Sequence, residues 1–200
     1  MSEINNVLKE FKPEKNYGFD VEKEKQAQSD KDFIFGAVSR TCIAEVPELE
    51  RAECLPTGEV QKAKEDTMDC ATRGPLNILE TKFNWLLENK KLSFEDELWF
   101  RAAGYIGNGF EFSDAFIAIK SGTTRQGNSM RAPLDAIRKN GLIPKKMLPL
   151  ESWMTWEAYH NPMRITYEMD DLGKEFLKRI SINYEKVYEE DFAQLLKKDF

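Results

Sequence analysis

Leu76, Leu79, Phe83 and Leu86 recur at steps of three and four residues. That spacing places them on one face of a helix and predicts an amphipathic element with one buried stripe, beginning soon after Cys70. Shorter versions of the pattern follow. Trp99, Ala102 and Ala103 predict a second helix, broken by Gly104, Gly107 and Gly109. With Asn108 these glycines read as a turn rather than a phosphate loop, because no Gly-x-Gly-x-x-Gly fingerprint follows a strand and no Walker lysine is present. Ser113-Asp114 caps a third helix carrying Phe116, Ile117 and Ile119.

Gly122 to Asn128 reads as a polar turn, followed by a fourth helix with Met130, Leu134 and Ile137 inward. Asn140-Gly141 ends it, with glycine as a left-handed cap. Pro144, Pro149 and Pro162 punctuate a loop that carries Trp153, Trp156 and Tyr159. A helix near 170–179 opens on Asp170 and Asp171, which suit the positive end of its dipole, and buries Leu172 and Phe176. Ile180, Ile182 and Tyr184 alternate as a strand does. Glu189, Glu190 and Asp191 open a last helix with Phe192, Leu195 and Leu196 inward.

The start of the chain differs. Residues 1–31 are polar and charged, and read as a solvated arm or as a tether that orders on a partner. Residues 32–69 form an extended connector containing Pro47, Pro56 and Gly58, with a possible strand at Phe33 to Val38. Residues 70–200 form the helical lobe. The expected fold class is α+β and predominantly helical, with a few strands.

Composition narrows the function. The net charge is −6 and the sequence pI about 5.1, which opposes binding to nucleic acid through its phosphates. It equally opposes docking on an anionic membrane. No apolar run approaches the roughly 18 residues of a membrane span, and residues 1–15 lack the apolar core of a secretory signal. Three cysteines, Cys42, Cys54 and Cys70, do not form a disulfide framework. With one histidine in the chain and no paired spacing, neither a zinc site nor a cofactor is expected. The tryptophans, Trp85 and Trp99 included, read as core or interface aromatics. Glu95-Asp96-Glu97 reads as a solvated helix start rather than a pair of acid catalysts.

Two stretches carry a family pattern. The first is Asp69-Cys70-Ala71-Thr72-Arg73-Gly74-Pro75-Leu76-Asn77-Ile78-Leu79-Glu80, a cysteine directly before a long apolar-faced helix. The second runs through Phe112-Ser113-Asp114-Ala115, Ser121-Gly122-Thr123-Thr124 and Gly127-Asn128-Ser129. It continues to Ala136-Ile137-Arg138-Lys139-Asn140-Gly141-Leu142-Ile143-Pro144 and ends at Leu148-Pro149-Leu150. Together they resemble the left, helical lobe of papain-like cysteine peptidases. Phe33-Ile34-Phe35-Gly36, the segment Pro56 to Gln61 and the Trp-rich loop are similar to the papain-like proteins encoded in bacteriophage genomes. The resemblance covers roughly residues 33–200.

This resemblance implies Cys70 as nucleophile and Gln61 as the oxyanion-hole amide, although Gln61 lies nine positions upstream, farther than is usual in the family. It implies Gly127 and Asn128 as contacts of an extended peptide substrate. A second, sheet-rich lobe would carry the catalytic histidine and its orienting amide, and the 200 residues stop about where that lobe would begin. A site of this type needs a thiolate, made by a helix N-terminus and a neighbouring imidazolium. The histidine then protonates the leaving amine, and donors hold the oxyanion.

Three departures stand against that chemistry. The only histidine, His160, precedes the elements after which the family places its catalytic histidine, and reads as a surface-loop residue. Gly74 and Pro75 disfavour a helix interior, so a helix starting there would leave Cys70 ahead of the dipole that activates it. Arg73 stands where the family has an apolar residue, and Cys70 then reads as a small buried hydrophobe.

The expected role is therefore a papain-like domain without its catalytic histidine, serving as a structural or docking component of a phage particle. Its partners would be proteins, with no nucleic acid and no membrane, and its place the virion or the host cytoplasm. One alternative is the N-terminal part of an active peptidase, with the histidine supplied by a missing segment or partner chain and a peptide as substrate. The other is an unrelated soluble helical module that binds protein.

Overall fold

The computed structural model describes residues 19–20, 22–23, 26, 53–56 and 61–182. The expected strand at 33–38, most of the arm and connector, and the last helix near 189–198 lie outside the described residues. Within them the protein is predominantly helical. Six α-helices follow in order: α1 Cys70–Glu88, α2 Phe94–Ala103, α3 Asp114–Lys120, α4 Arg131–Asn140, α5 Trp156–Tyr159 and α6 Tyr167–Arg179. Short 3-10 turns at Lys145–Met147 and Pro162–Arg164 flank α5.

The expected strands are not found among the described residues, which hold only isolated bridges such as Phe112 with Pro144 and Ile106 with Phe110. Ile180 to Ile182 leave α6 without strand pairing, and Tyr184 lies outside the described residues. Glu111–Ser113 supplies the nearest substitute. Ser113 N donates to Ile143 O at 3.0 Å and Lys145 N to Glu111 O at 3.1 Å.

Helix α1 is the central element and packs on α3 and α4, while α4 also packs on α3 and α6. Its apolar stripe meets a cluster of six rings: Phe83, Phe100, Tyr105, Phe110, Phe112 and Phe176. Adjacent centroids are 4.9 Å apart for Phe83–Phe110 and 5.7 Å for the edge-on Phe83–Phe100 pair. Edge-to-face and tilted contacts of this kind add about 0.5–1.5 kcal/mol each beyond area burial. Two buried polar residues interrupt the stripe. Glu80 Oε1 accepts the Phe112 amide at 2.7 Å. One turn later Asn84 Oδ1 accepts the Phe110 amide at 2.6 Å, and its Nδ2 donates to Cys54 O at 3.0 Å. These side chains satisfy two buried amides, of Phe110 and Phe112, that the isolated bridges of this loop leave over.

The helix starts follow local chemistry. Ser93 Oγ accepts from Asp96 N to cap α2, with Glu95, Asp96 and Glu97 in its first turn as expected of a solvated start. Ser113 caps α3 by accepting from Phe116 N. Helix α6 starts three residues earlier than expected, because Thr166 caps it by accepting from Met169 N. In α4 the buried residues are Pro133, Ala136 and Ile137. Met130, expected inward, stands ahead of the first turn and is 41% exposed.

Gly141 ends α4 with φ 73°, as a left-handed stop requires, but its ψ of −162° swings the chain away from a regular cap. The reason is contact. A Cβ at Gly141 would overlap the carbonyl of Gly173, and a Cβ at Gly173 would overlap the carbonyl of Asn140. Helices α4 and α6 thus touch backbone to backbone, which only glycine permits at both positions.

Candidate functional site around Cys70

The approach to Cys70 is a tight loop over residues 61–69. Lys62 bridges to Asp66, and both the amide and hydroxyl of Thr67 donate to Gln61 O, at 3.3 and 2.7 Å. Asp66 Oδ1 accepts from Met68 N at 2.8 Å, and Met68 takes a left-handed φ of 54°. An unbranched residue held there is uncommon, and the surrounding bonds fix it.

Helix α1 begins at Cys70, not at Gly74-Pro75. Pro75 lies inside the helix, which costs about 3 kcal/mol in an isolated segment. What holds the first turn open to it is Asp69. Its carbonyl accepts from Thr72 N at 2.8 Å and Arg73 N at 3.0 Å. Its carboxylate, fully buried, accepts three side-chain donors: Thr67 Oγ1 at 2.6 Å, Arg73 Nε at 2.9 Å and Tyr159 Oη at 2.6 Å. Arg73 Nη1 also reaches Asp114 Oδ2 on α3 at 3.3 Å.

Two carboxylates and one guanidinium are therefore enclosed together. Burial alone would lower the Arg73 pKa, but Asp114 and Asp69 outweigh it and hold the guanidinium charged. Burial, then Asp69 and Asp114, push the Tyr159 phenol well above its ordinary value, so it remains a donor. Each member is the partner another needs, and such an arrangement is costly to break from one side.

His160 belongs to the same cluster and is no surface residue. It is 8% exposed, packed on Trp156 with centroids 4.5 Å apart and edge-on to Tyr159 at 4.9 Å. Its Nε2 lies 2.8 Å from Thr67 O. A carbonyl only accepts, so Nε2 carries the proton of the neutral ring. Nδ1 is buried with no hydrogen-bond partner among the described residues. Burial lowers the His160 pKa, partly offset by the Thr67 bond and Asp69, with Arg164 adding to the lowering.

The Cys70 thiol is half-buried. Burial pushes its pKa up. The amides of Ala71 and Cys70 favour the thiolate, but Asp69 and Asp66 oppose it, and the net shift is upward. The thiol sits at a helix start, the position that lowers a cysteine pKa elsewhere, yet two acids and burial outweigh the amides here.

Gln61 is bonded to Asp66. Its Nε2 donates to Asp66 Oδ1 at 3.2 Å, and Asp66 is the same carboxylate that acts on the thiol. Gly127 and Asn128 lie on the turn after α3. Gly127 has φ 95°, and the buried Asn128 amide donates to Ser121 O, Ser121 Oγ and Thr123 Oγ1. Arg125 ties this turn to the other loops. It pairs with Glu157, reaches Glu65 at 3.6 Å and stacks over Trp156 at 5.0 Å.

The backbone of Asn128 already has a neighbour. Phe19 bridges to it in parallel, Asp20 N donates to Asn128 O at 3.0 Å, and Lys23 Nζ donates to Gly122 O at 3.2 Å. The described part of the charged arm is thus docked on its own domain.

Sequence reading missed Asp69, Tyr159, Asp114 and Thr67 as one group. The four-residue spacing of Asp69 and Arg73 was the single local signal; the other pairings join distant parts of the chain. Among the described residues no cluster of His, Cys, Asp and Glu is arranged to hold a metal ion. No helix there is long and apolar enough to cross a membrane. Comparison with known proteins gives no match: no family model fits the chain, and no curated protein or solved structure is similar to it.

Proposed function

We propose that this chain is a papain-like domain without its catalytic histidine, acting as a non-catalytic structural or docking component of a protein assembly such as a phage particle. The observation that carries the reading is the setting of Cys70. Its thiol is pushed up by burial and by two acids, and the chain's one histidine spends its Nε2 proton on Thr67 O. A papain-type nucleophile needs the reverse, a thiolate beside an imidazolium. The Asp69–Arg73–Asp114–Tyr159 group occupies the space around the helix start with internal bonds and supports a structural role for it. The docked segment at residues 19–23 agrees, since it pairs with the backbone that the resemblance assigns to a peptide substrate.

A second reading has one observation in its favour. Cys70 opens the longest helix among the described residues, and Gln61 is bonded to Asp66, whose charge acts on the thiol, the order of parts found in a peptidase. In that reading a separate segment brings the histidine, and the substrate is a peptide.

The two readings part on one experiment. The purified chain is assayed for turnover of fluorogenic peptides, alone and mixed with the other proteins of its particle, alongside Cys70→Ala. The structural reading expects no turnover in either and co-assembly retained in the variant. Turnover that disappears in Cys70→Ala overturns it.

A further inference from the structure

His160 closes a joint between two loops. On one side is α5 with the loop around it; on the other is the 61–69 loop that delivers Cys70. The ring is gripped by Trp156 and Tyr159 and reaches across the joint from Nε2 to Thr67 O at 2.8 Å, beside two other links, Tyr159 Oη to Asp69 at 2.6 Å and Trp156 N to Glu65 at 3.2 Å.

Protonation changes what that joint must hold. The proton goes to Nδ1, which becomes a buried N–H donor with no hydrogen-bond partner among the described residues. Leaving a buried charged donor unmatched is costly. The charges facing the ring come from every packed element. Asp69, before α1, favours the imidazolium, but Thr67, Arg73 and Tyr159 already occupy both of its oxygens. Arg164, fixed at 2.9 Å to both Tyr159 O and Pro149 O, opposes it. Arg125, over Trp156, is matched by Glu157 and Glu65. The Tyr159 phenol stays neutral.

We propose that His160 is an acid-sensitive latch: protonation of its buried Nδ1 weakens the joint between the α5 loop and the 61–69 loop at the Thr67 contact, loosening the approach to Cys70. The sign is fixed by linkage. With the folded pKa below the unfolded one, the neutral form stabilises the closed joint above about pH 6.5. That stabilisation is lost as pH falls from there through the folded value. The latch does not depend on whether the domain was ever a peptidase.

One histidine in the chain makes the test unambiguous. The full chain is titrated by NMR from pH 8 to pH 4, following the imidazole Cε1–H and the exchange of the Thr67, Tyr159 and His160 amides. The latch predicts an imidazole midpoint below the ordinary value. It also predicts that the three amides lose protection over the same interval, by up to roughly tenfold per pH unit between the unfolded and folded values. His160→Gln keeps an N–H for Thr67 O but cannot take the proton, so its amides should hold their protection. Equal loss in His160→Gln would assign the opening to carboxylates and overturn the latch. So would a wild-type imidazole that titrates while the three amides stay protected, a result that stands even if the variant fails to fold.

Discussion

Tyr159 Oη donates to Asp69 Oδ2 at 2.6 Å, joining residues 90 positions apart in a fully buried contact. Asp69 immediately precedes Cys70 and its carbonyl takes the first amides of α1, so this bond anchors the start of the central helix to a distant loop. It fastens the Trp-rich loop to the loop that leads into Cys70.

Tyr159→Phe keeps the ring and removes only the donor. Asp69 would retain Thr67 and Arg73 but lose a third bond to a charged acceptor. A loss of about 1.5–3 kcal/mol in unfolding free energy is expected from denaturant titration. A value near zero would mean that the hydroxyl is not bonded to Asp69 in solution.

Arg73→Met is expected to cost more, because it leaves Asp69 and Asp114 buried without their cation. Breaking a buried ion group from one side costs about 3–5 kcal/mol. Combining it with Asp114→Asn should recover part of the loss, since one unmatched charge is then removed. Simple additivity of the two changes, measured as a double-mutant cycle, would show that the residues are not coupled.

Gly173→Ala places a methyl group against the carbonyl of Asn140. Backbone cannot yield as a side-chain tip can, and overpacking of this kind costs about 1–3 kcal/mol. Gly141→Ala adds left-handed strain to the same overlap and should be worse. Thermal melts of the two variants check the order; an unchanged midpoint in either would deny the close approach of α4 and α6.

The helices were legible because their signals are local. Leu76 to Leu86 carry a period, Ser93 and Ser113 sit where caps belong, and Gly141 marks a stop. Pro75 misled the reading of α1, since its cost is intrinsic while the compensation comes from elsewhere: Asp69 holds the first turn before proline is reached. His160 misled for the same reason. Its Pro-flanked, polar neighbourhood looks like surface, and only Trp156, Tyr159 and the distant Thr67 enclose it. Period alone places Met130 inward, although it lies before the first turn, where helical spacing no longer applies. The Asp69 group left almost no trace in sequence, because its members meet through tertiary packing.

The docked arm supplies another test. Asp20→Pro removes the amide that donates to Asn128 O, and with it the carboxylate that accepts from Lys23 N, without altering the turn's own bonds. Protease cleavage within residues 19–26 should become several-fold faster, as expected for loss of bonds whose net value is about 0.5–1.5 kcal/mol each. An unchanged rate would mean that this pairing does not protect the arm.

Burial and two acids hold the Cys70 thiol in its protonated form. The direct test is the rate of iodoacetamide alkylation at Cys70 as a function of pH, read on the Cys70 peptide by mass spectrometry. An inflection above the ordinary cysteine value of about 8.5 and slow reaction at neutral pH are expected. An inflection well below that value, with rapid alkylation at pH 7, would contradict it and restore Cys70 as a nucleophile.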